Sequence, residues 1–149
     1  MIALACDHVA IGLKDEIKVL LDELGLAYKD FGTNSTDRTD YPIYAARAGR
    51  AVASGECDKG IICCGTGIGI SIAANKIRGI RCAACSDCYS AKLSRQHNNT
   101  NMLSLGSRVV GVDLAKMIVK EWLLAEYEDG RHQRRLNQIA ILEEQGNLE

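Results

Sequence analysis

The sequence predicts an α/β protein built on a parallel sheet. Short β-type runs alternate with amphipathic helical stretches along almost the whole chain, the pattern of βαβ units. One of these runs passes through a glycine-rich turn, "CGTGIG", directly into a helical stretch, as ligand-binding α/β sheets do. The 149 residues suffice for one full hydrophobic core and are short for two, so a single domain over 1–149 is expected.

The elements follow in order. "IALAC", 2–6, is the first strand. A helix follows, with Leu13, Ile17, Leu20 or Leu21, and Leu24 at apolar steps of three and four and Gly25 as its stop. "AYKDF", 27–31, is the second strand, and "GTNSTDRTD", 32–40, is the main loop. Asp40 caps the second helix, whose first turn tolerates Pro42, the chain's one proline. "KGIICC", 59–64, is the third strand and runs into the glycine turn and a third helix. "IRCAA", 80–84, is the fourth, with a helix starting after Ser86. "MLSLG", 102–106, is the fifth, followed by "VDLAKMIVKEWLLAEY", 112–127, with Leu114, Met117 or Ile118, and Trp122 on one face. Gly130 breaks that pattern, and "RHQRRLNQIAILEEQ" forms an extra C-terminal helix that no strand follows. It either packs on this sheet or is offered to another subunit.

Composition narrows the partners. A net charge of −1 with 25% charged residues indicates neither disorder nor an electrostatic footprint for nucleic acid. No run approaches the ~20 apolar residues of a membrane span. "MIALACDHVA" meets an acid and a histidine too early for a signal peptide. A cytoplasmic protein with a small-molecule or protein partner is expected. Seven cysteines, an odd number, then read as reduced thiols, and the glycosylation-type triplets at Asn34 and Asn98 carry no meaning there.

Ligands of open α/β sheets sit beyond the carboxyl ends of the strands. That edge is expected to collect Asp7 and His8, Cys64 to Ser71, Ser86 and Asp87, and Ser107 and Arg108. Gly65, Gly67 and Gly69 allow close backbone approach, and the following helix aims free N–H groups outward, which suits an anion or a developing oxyanion. Neither the P-loop nor the G-x-G-x-x-G fingerprint fits this G-x-G-x-G spacing; helix–strand packing by glycines is the plainer alternative. Cys64 ends its strand within a turn of a helix N-terminus, whose partial positive charge favours thiolate, whereas Cys6, Cys63 and Cys82 read as small buried hydrophobes in strands and Cys57 as part of a turn. "CAACSDC" offers two other readings, an iron–sulfur run that lacks its fourth cysteine and a C-x-x-C dithiol at Cys85 and Cys88. His97 closes the fourth helix beside Asn98, and it is expected to converge with Asp7, His8 and Cys64 on the same edge.

"CDHVAIGLKDEI", "RTDYP", "CGTGIGISIAANKIRGIRCA", "YSAKLSRQHNNTNMLSLGSRVVG" and "GRHQRR" occur in this order over almost the whole chain. On these motifs the sequence closely resembles the RpiB/LacAB sugar-phosphate isomerase family. The resemblance implies a Rossmann-like α/β/α sandwich with a five-stranded parallel sheet, and a homodimer with shared active sites that can pair further. It implies interconversion of ribose 5-phosphate and ribulose 5-phosphate, a step of the non-oxidative pentose phosphate pathway, with no metal or other cofactor. It makes Cys64 the base between carbons 2 and 1, His97 the ring-opening group, Thr66 the handler of the oxygen proton and Asp7 an assistant at ring opening. Gly65, Thr66, Gly67, Ile68 and Gly69, extending to Ser71, would hold the enediolate. His8, Arg108, Arg131 and Arg135 would clamp the phosphate and Asn98 the sugar, the C-terminal helix from about 131 reaching the partner subunit. A six-carbon substrate such as allose 6-phosphate or galactose 6-phosphate is the alternative. A non-catalytic sugar-phosphate or nucleotide binder and a dithiol redox protein are the readings from other classes.

Overall fold

The computed structural model describes residues 1–148. The strands are β1 (Ile2–Cys6), β2 (Tyr28–Asp30), β3 (Lys59–Cys64), β4 (Cys82–Ala84) and β5 (Met102–Gly106). The helices are α1 (Ile11–Glu23), α2 (Tyr41–Ala53), α3 (Ile68–Ala74), α4 (Cys88–Asn98), α5 (Val112–Leu124) and α6 (Arg131–Gln145). All strand pairs are parallel and the order is β2-β1-β3-β5-β4. The expected five-stranded α/β/α architecture is present, with β2 and β4 trimmed to three residues each.

The two faces of the sheet carry separate cores. Leu4, Cys6, Ile61, Cys63, Leu103 and Leu105 pack against α1, α4 and α5. Ala3, Ala5, Ile62, Cys64 and Met102 pack against α2 and α3. Strand alternation therefore sends the adjacent thiols of Cys63 and Cys64 to opposite sides.

Two helix assignments change. Leu24 falls just past α1 and is exposed. On α5 the buried face is Ala115, Ile118, Val119 and Trp122, while Leu114 and Met117 lie open. Trp122 sets this phase: its indole is fully buried and donates to Thr100 Oγ1 at 2.9 Å. Residues three, four and seven positions earlier share its side, whereas Met117 points about 140° away.

α6 packs on its own chain through buried His132 and Leu136 and through Glu143, which accepts from the Gly79 amide. Ile139, Ile141 and Leu142 stay exposed on it.

Candidate active site

The chain leaves β1 for β2 on one side and returns to place β3 on the other. The carboxyl ends of β1 and β3 thus flank the point where strand order reverses, the usual crevice of an open α/β sheet. Asp7 and His8 follow β1 there, and Cys64 ends β3.

Opposite Cys64 in β5 stands Gly106. The glycine is required, because a Cβ on it would lie 2.6 Å from the Thr66 carbonyl. Gly67 crosses the same spot in a left-handed conformation at φ 78°, and a Cβ there would meet Leu105 at 2.8 Å. β5 further braces the turn: Ser107 N donates to Cys64 O at 2.9 Å, Arg108 N to Gly65 O at 3.0 Å, and Ser104 Oγ to Gly67 O.

The crevice, about 430 Å³, is lined by Asp7, Cys64, Gly65, Thr66, Gly69 and Arg108, with Val9, Tyr41 and Ile68. Cys64 is only 5% exposed, and its sulfur accepts the Gly67 amide at 3.2 Å. Negative charge on that sulfur therefore has a donor in place. Among the described residues the amides of Gly65, Thr66 and Gly69 have no acceptor, as expected around a helix start. Thr66 Oγ1 accepts from the Ile68 amide at 3.3 Å, which leaves its proton free to donate. Asp7 Oδ1 accepts from Val9 N at 3.0 Å, leaving the other oxygen for a ligand.

Ser71 differs from the expectation. Its amide reaches Gly67 O and its hydroxyl donates to Ile68 O at 2.7 Å, so both its donors are consumed inside α3.

A second hollow adjoins the first, lined by His8, Ser107 and Arg108. His8 Nδ1 accepts from Thr39 N at 3.2 Å, so the neutral ring carries its proton on Nε2. Loop 32–40, which presents Thr39, is anchored by Lys14. That ammonium, 1% exposed, donates to Thr33 O and Asn34 Oδ1 at 2.8 Å and pairs with Asp30 at 2.7 Å. Lys14 and Tyr41 escaped sequence reading. The tyrosine ring fills the place where a Cβ on Gly69 would sit, 2.7 Å away.

His97 and Asn98 do not join this edge. They end α4, and β5 begins at Met102, which pairs with Gly60 at the start of β3. The four residue steps from Gly60 to Cys64 put roughly 13 Å of strand between the two edges. At the amino edge His97 stacks on His132, centroids 4.3 Å apart, and exposed Arg131 and Arg135 flank that ring on α6. Burial, then His97 and Arg131, lower the His132 pKa below the ordinary histidine value.

Cys6, Cys63, Cys82 and Cys85 fit the structural reading. Burial pushes Cys6 and Cys85 up to about 11 and raises Cys63 and Cys82 as well. A buried thiol held protonated is a poor dithiol nucleophile. Cys82, Cys85 and Cys88 also form no cluster of metal-ligand spacing among the described residues.

The family model described as Ribose/Galactose Isomerase matches residues 2–139. The chain belongs to the ribose/galactose isomerase family. Within it, the chain is 59% identical to ribose-5-phosphate isomerase B of Escherichia coli, covering 98% of both chains. The Clostridium thermocellum ribose-5-phosphate isomerase B structure superposes with a TM-score of 0.96 at 49% identity, over 98% of this chain and 99% of that one. The Mycoplasma genitalium ribose-5-phosphate isomerase B, solved with ribulose-5-phosphate bound, gives 0.92 at 38% identity over 97% and 96%. No helix among the described residues is long and apolar enough to cross a membrane.

Proposed function

We propose that the chain is a ribose-5-phosphate isomerase that interconverts ribose 5-phosphate and ribulose 5-phosphate through an enediolate, in a site shared by two copies of the chain. The observation that carries the reading is the Cys64 sulfur, set in the switch-point crevice with an amide on it and unpartnered amides around it.

Isomerisation of an aldose to a ketose moves one proton from C2 to C1 and another from O2 to O1. Cys64, as thiolate, takes the C2 proton; the electron pair moves onto the carbonyl oxygen as enediolate, and the thiol then returns the proton to C1. Thr66 relays the proton between the oxygens. The amides of Gly65, Thr66 and Gly69 hold the developing charge. These groups supply a base, an oxygen proton carrier and an anion hole, so the route calls on no metal.

The other half of the site comes from a second copy. His97 opens the furanose ring, with Asp7 assisting, and Asn98 orients the sugar. His8 and Arg108 of one copy and Arg131 and Arg135 of the other grip the phosphate. Two features support a shared site: His97 and Cys64 occupy opposite edges of one sheet, and apolar Ile68 and Ile72 of α3 stand exposed just after the glycine turn. We place this homodimer in the cytoplasm.

The test is the initial rate of ketose formation from ribose 5-phosphate in chelator, run beside allose 6-phosphate and insulin reduction. Turnover of the five-carbon phosphate is expected. Its absence, or a higher kcat/KM for allose 6-phosphate, refutes the assignment.

A further inference from the structure

One charged side chain is buried where an apolar one would pack. On α1 the buried residues are Leu13, Lys14, Ile17, Leu20 and Leu21, and the Lys14 side chain is 1% exposed. A leucine at 14 would meet Ile17 and Leu21, three and seven positions on, without the cost of desolvating an ammonium. Lysine is tolerated in such a place only when it is paired. Its neighbours are Asp30 Oδ2 at 2.7 Å and Thr33 O and Asn34 Oδ1 at 2.8 Å, matching the three donors of an ammonium. Lys18 already pairs with the same Asp30 oxygen at 2.7 Å, so what Lys14 adds is its hold on loop 32–40.

That loop is a short lever. Its near end lies against β1, where a Cβ on Gly32 would be 2.5 Å from Cys6 N and Thr33 N donates to Cys6 O at 3.2 Å. Its exposed middle is stiffened from within: Ser35 N donates to Thr33 Oγ1 at 3.0 Å and Asp37 N to Ser35 Oγ at 3.1 Å. Its far end is Thr39, whose hydroxyl meets the Tyr44 hydroxyl at 2.9 Å and whose amide donates to His8 Nδ1 at 3.2 Å. A ring held at one nitrogen keeps its angle, and the other nitrogen keeps the proton. Nε2–H is then the donor that His8 offers to the hollow it lines with Ser107 and Arg108.

We propose that Lys14 is a positioning residue of the phosphate clamp: from inside the core it sets loop 32–40, and through the Thr39 amide it holds the His8 ring ready to donate to the phosphate. The proposal rests on the phosphate-gripping role given to His8 above. Lys14 itself touches no substrate.

The experiment measures kcat and KM for ribose 5-phosphate in Lys14→Met, and the dissociation constant of inorganic phosphate from the His8 ring signals in NMR. Both KM and the phosphate constant should rise ~10-fold, the lower end of what a hydrogen bond to a charged group contributes. An unchanged kcat should accompany them, the mark of lost uniform binding. Lys18→Met removes the other cation on Asp30 but touches no loop residue, and should leave both constants at wild-type values. Should Lys14→Met fail to fold, exposed Asn34 decides: Asn34→Ala should raise both constants, and Asn34→Asp, which keeps the acceptor, should restore them. Equal changes in Lys14→Met and Lys18→Met would reduce Lys14 to a structural charge. Wild-type constants in a folded Lys14→Met, or a loss carried by kcat rather than KM, would overturn the proposal, as would unchanged constants in Asn34→Ala where that variant decides. A wild-type chain that turns over no sugar phosphate, yet loses phosphate affinity in Lys14→Met, would sink the isomerase reading and leave the positioning role standing.

Discussion

At the carboxyl edge of the sheet most candidate functional atoms are held by backbone; at the amino edge most ride on side chains. Around Cys64 the donors are amides of a turn clamped between β3 and β5, where two missing Cβ atoms let backbone cross backbone. Around His97 the groups are an imidazole, an amide side chain and two exposed arginines on helix ends. The first half can hold an anion as soon as one chain folds. The second is a set of side-chain arms, and in the shared-site proposal a second copy of the chain supplies the surface they act against.

The largest expected effect tests the rigid half. Cys64→Ala should lower kcat by ~10³-fold, in the range of a lost general base, while ribose 5-phosphate still binds in calorimetry. Cys63→Ala, changed on the opposite face, should stay active. Equal losses in both variants would erase the distinction between the faces.

Mixing tests whether the halves come from different chains. Inactive Cys64→Ala and inactive Arg135→Ala chains, dissociated and reassociated, pair at random into dimers half of which are mixed. Each mixed dimer then has one intact site, so about a quarter of wild-type activity should return, from two-fold symmetry alone. No recovery, with heterodimers verified by mass, would place both halves of a site in one chain.

His97→Asn sharpens the amino-edge role. It should slow conversion of the cyclic aldose by ~10²-fold and the acyclic ketose far less, read in single-turnover initial rates. Equal losses in both directions would remove ring opening from His97.

Backbone crossing has its own test. Gly106→Ala should cost about 2–3 kcal/mol in urea unfolding, because the new methyl overlaps the Thr66 backbone. Gly111→Ala, where a Cβ meets nothing within 4 Å, should be close to neutral.

The smallest effect on activity concerns the loop anchor. Burial acts to raise the Asp30 carboxyl, but hydrogen bonds from Lys14 and Lys18 outweigh it and the net shift is downward. A depressed carboxyl contributes stability that is fully present above the ordinary carboxylate range and lost as pH falls through the folded value. Asp30→Asn should therefore unfold at lower urea than wild type at pH 7, and the gap should close in acid. A gap that persists well below the carboxylate range would mean that packing, not charge, is what the variant loses.

Much of this was legible in the sequence, for local reasons. Five apolar runs and their intervening periodicities are short-range signals, and adjacent Cys63 and Cys64 had to face opposite ways once 59–64 was a strand. On α5, Trp122 and the Ile118 alternative are buried as expected, while Leu114 and Met117 are not; they were expected there because they are as apolar as the residues actually buried. Only the long-range bond from Trp122 to Thr100 selects the phase. His97 was expected beside Cys64 because its neighbours read as a site motif. Yet a helix that follows one strand and precedes the next must finish at the amino edge, so connectivity alone could have moved it. Lys14 and Tyr41 were invisible for a different reason: each acts through a partner distant in sequence that no periodicity announces.

β5 lies between β3 and β4 although it is the last strand made, and edge strand β4 bonds to β5. During vectorial synthesis, a nascent chain that has reached residue 101 already contains Asp7, Cys64 and all three glycines of the turn. It still lacks Ser104, Gly106 and the amides of Ser107 and Arg108, against which that turn is shaped. The reactive geometry is therefore a late product of folding, acquired when the final strand slots into a waiting gap. A ribosome stalled before codon 106 would release a polypeptide carrying Cys64 without the frame that surrounds it.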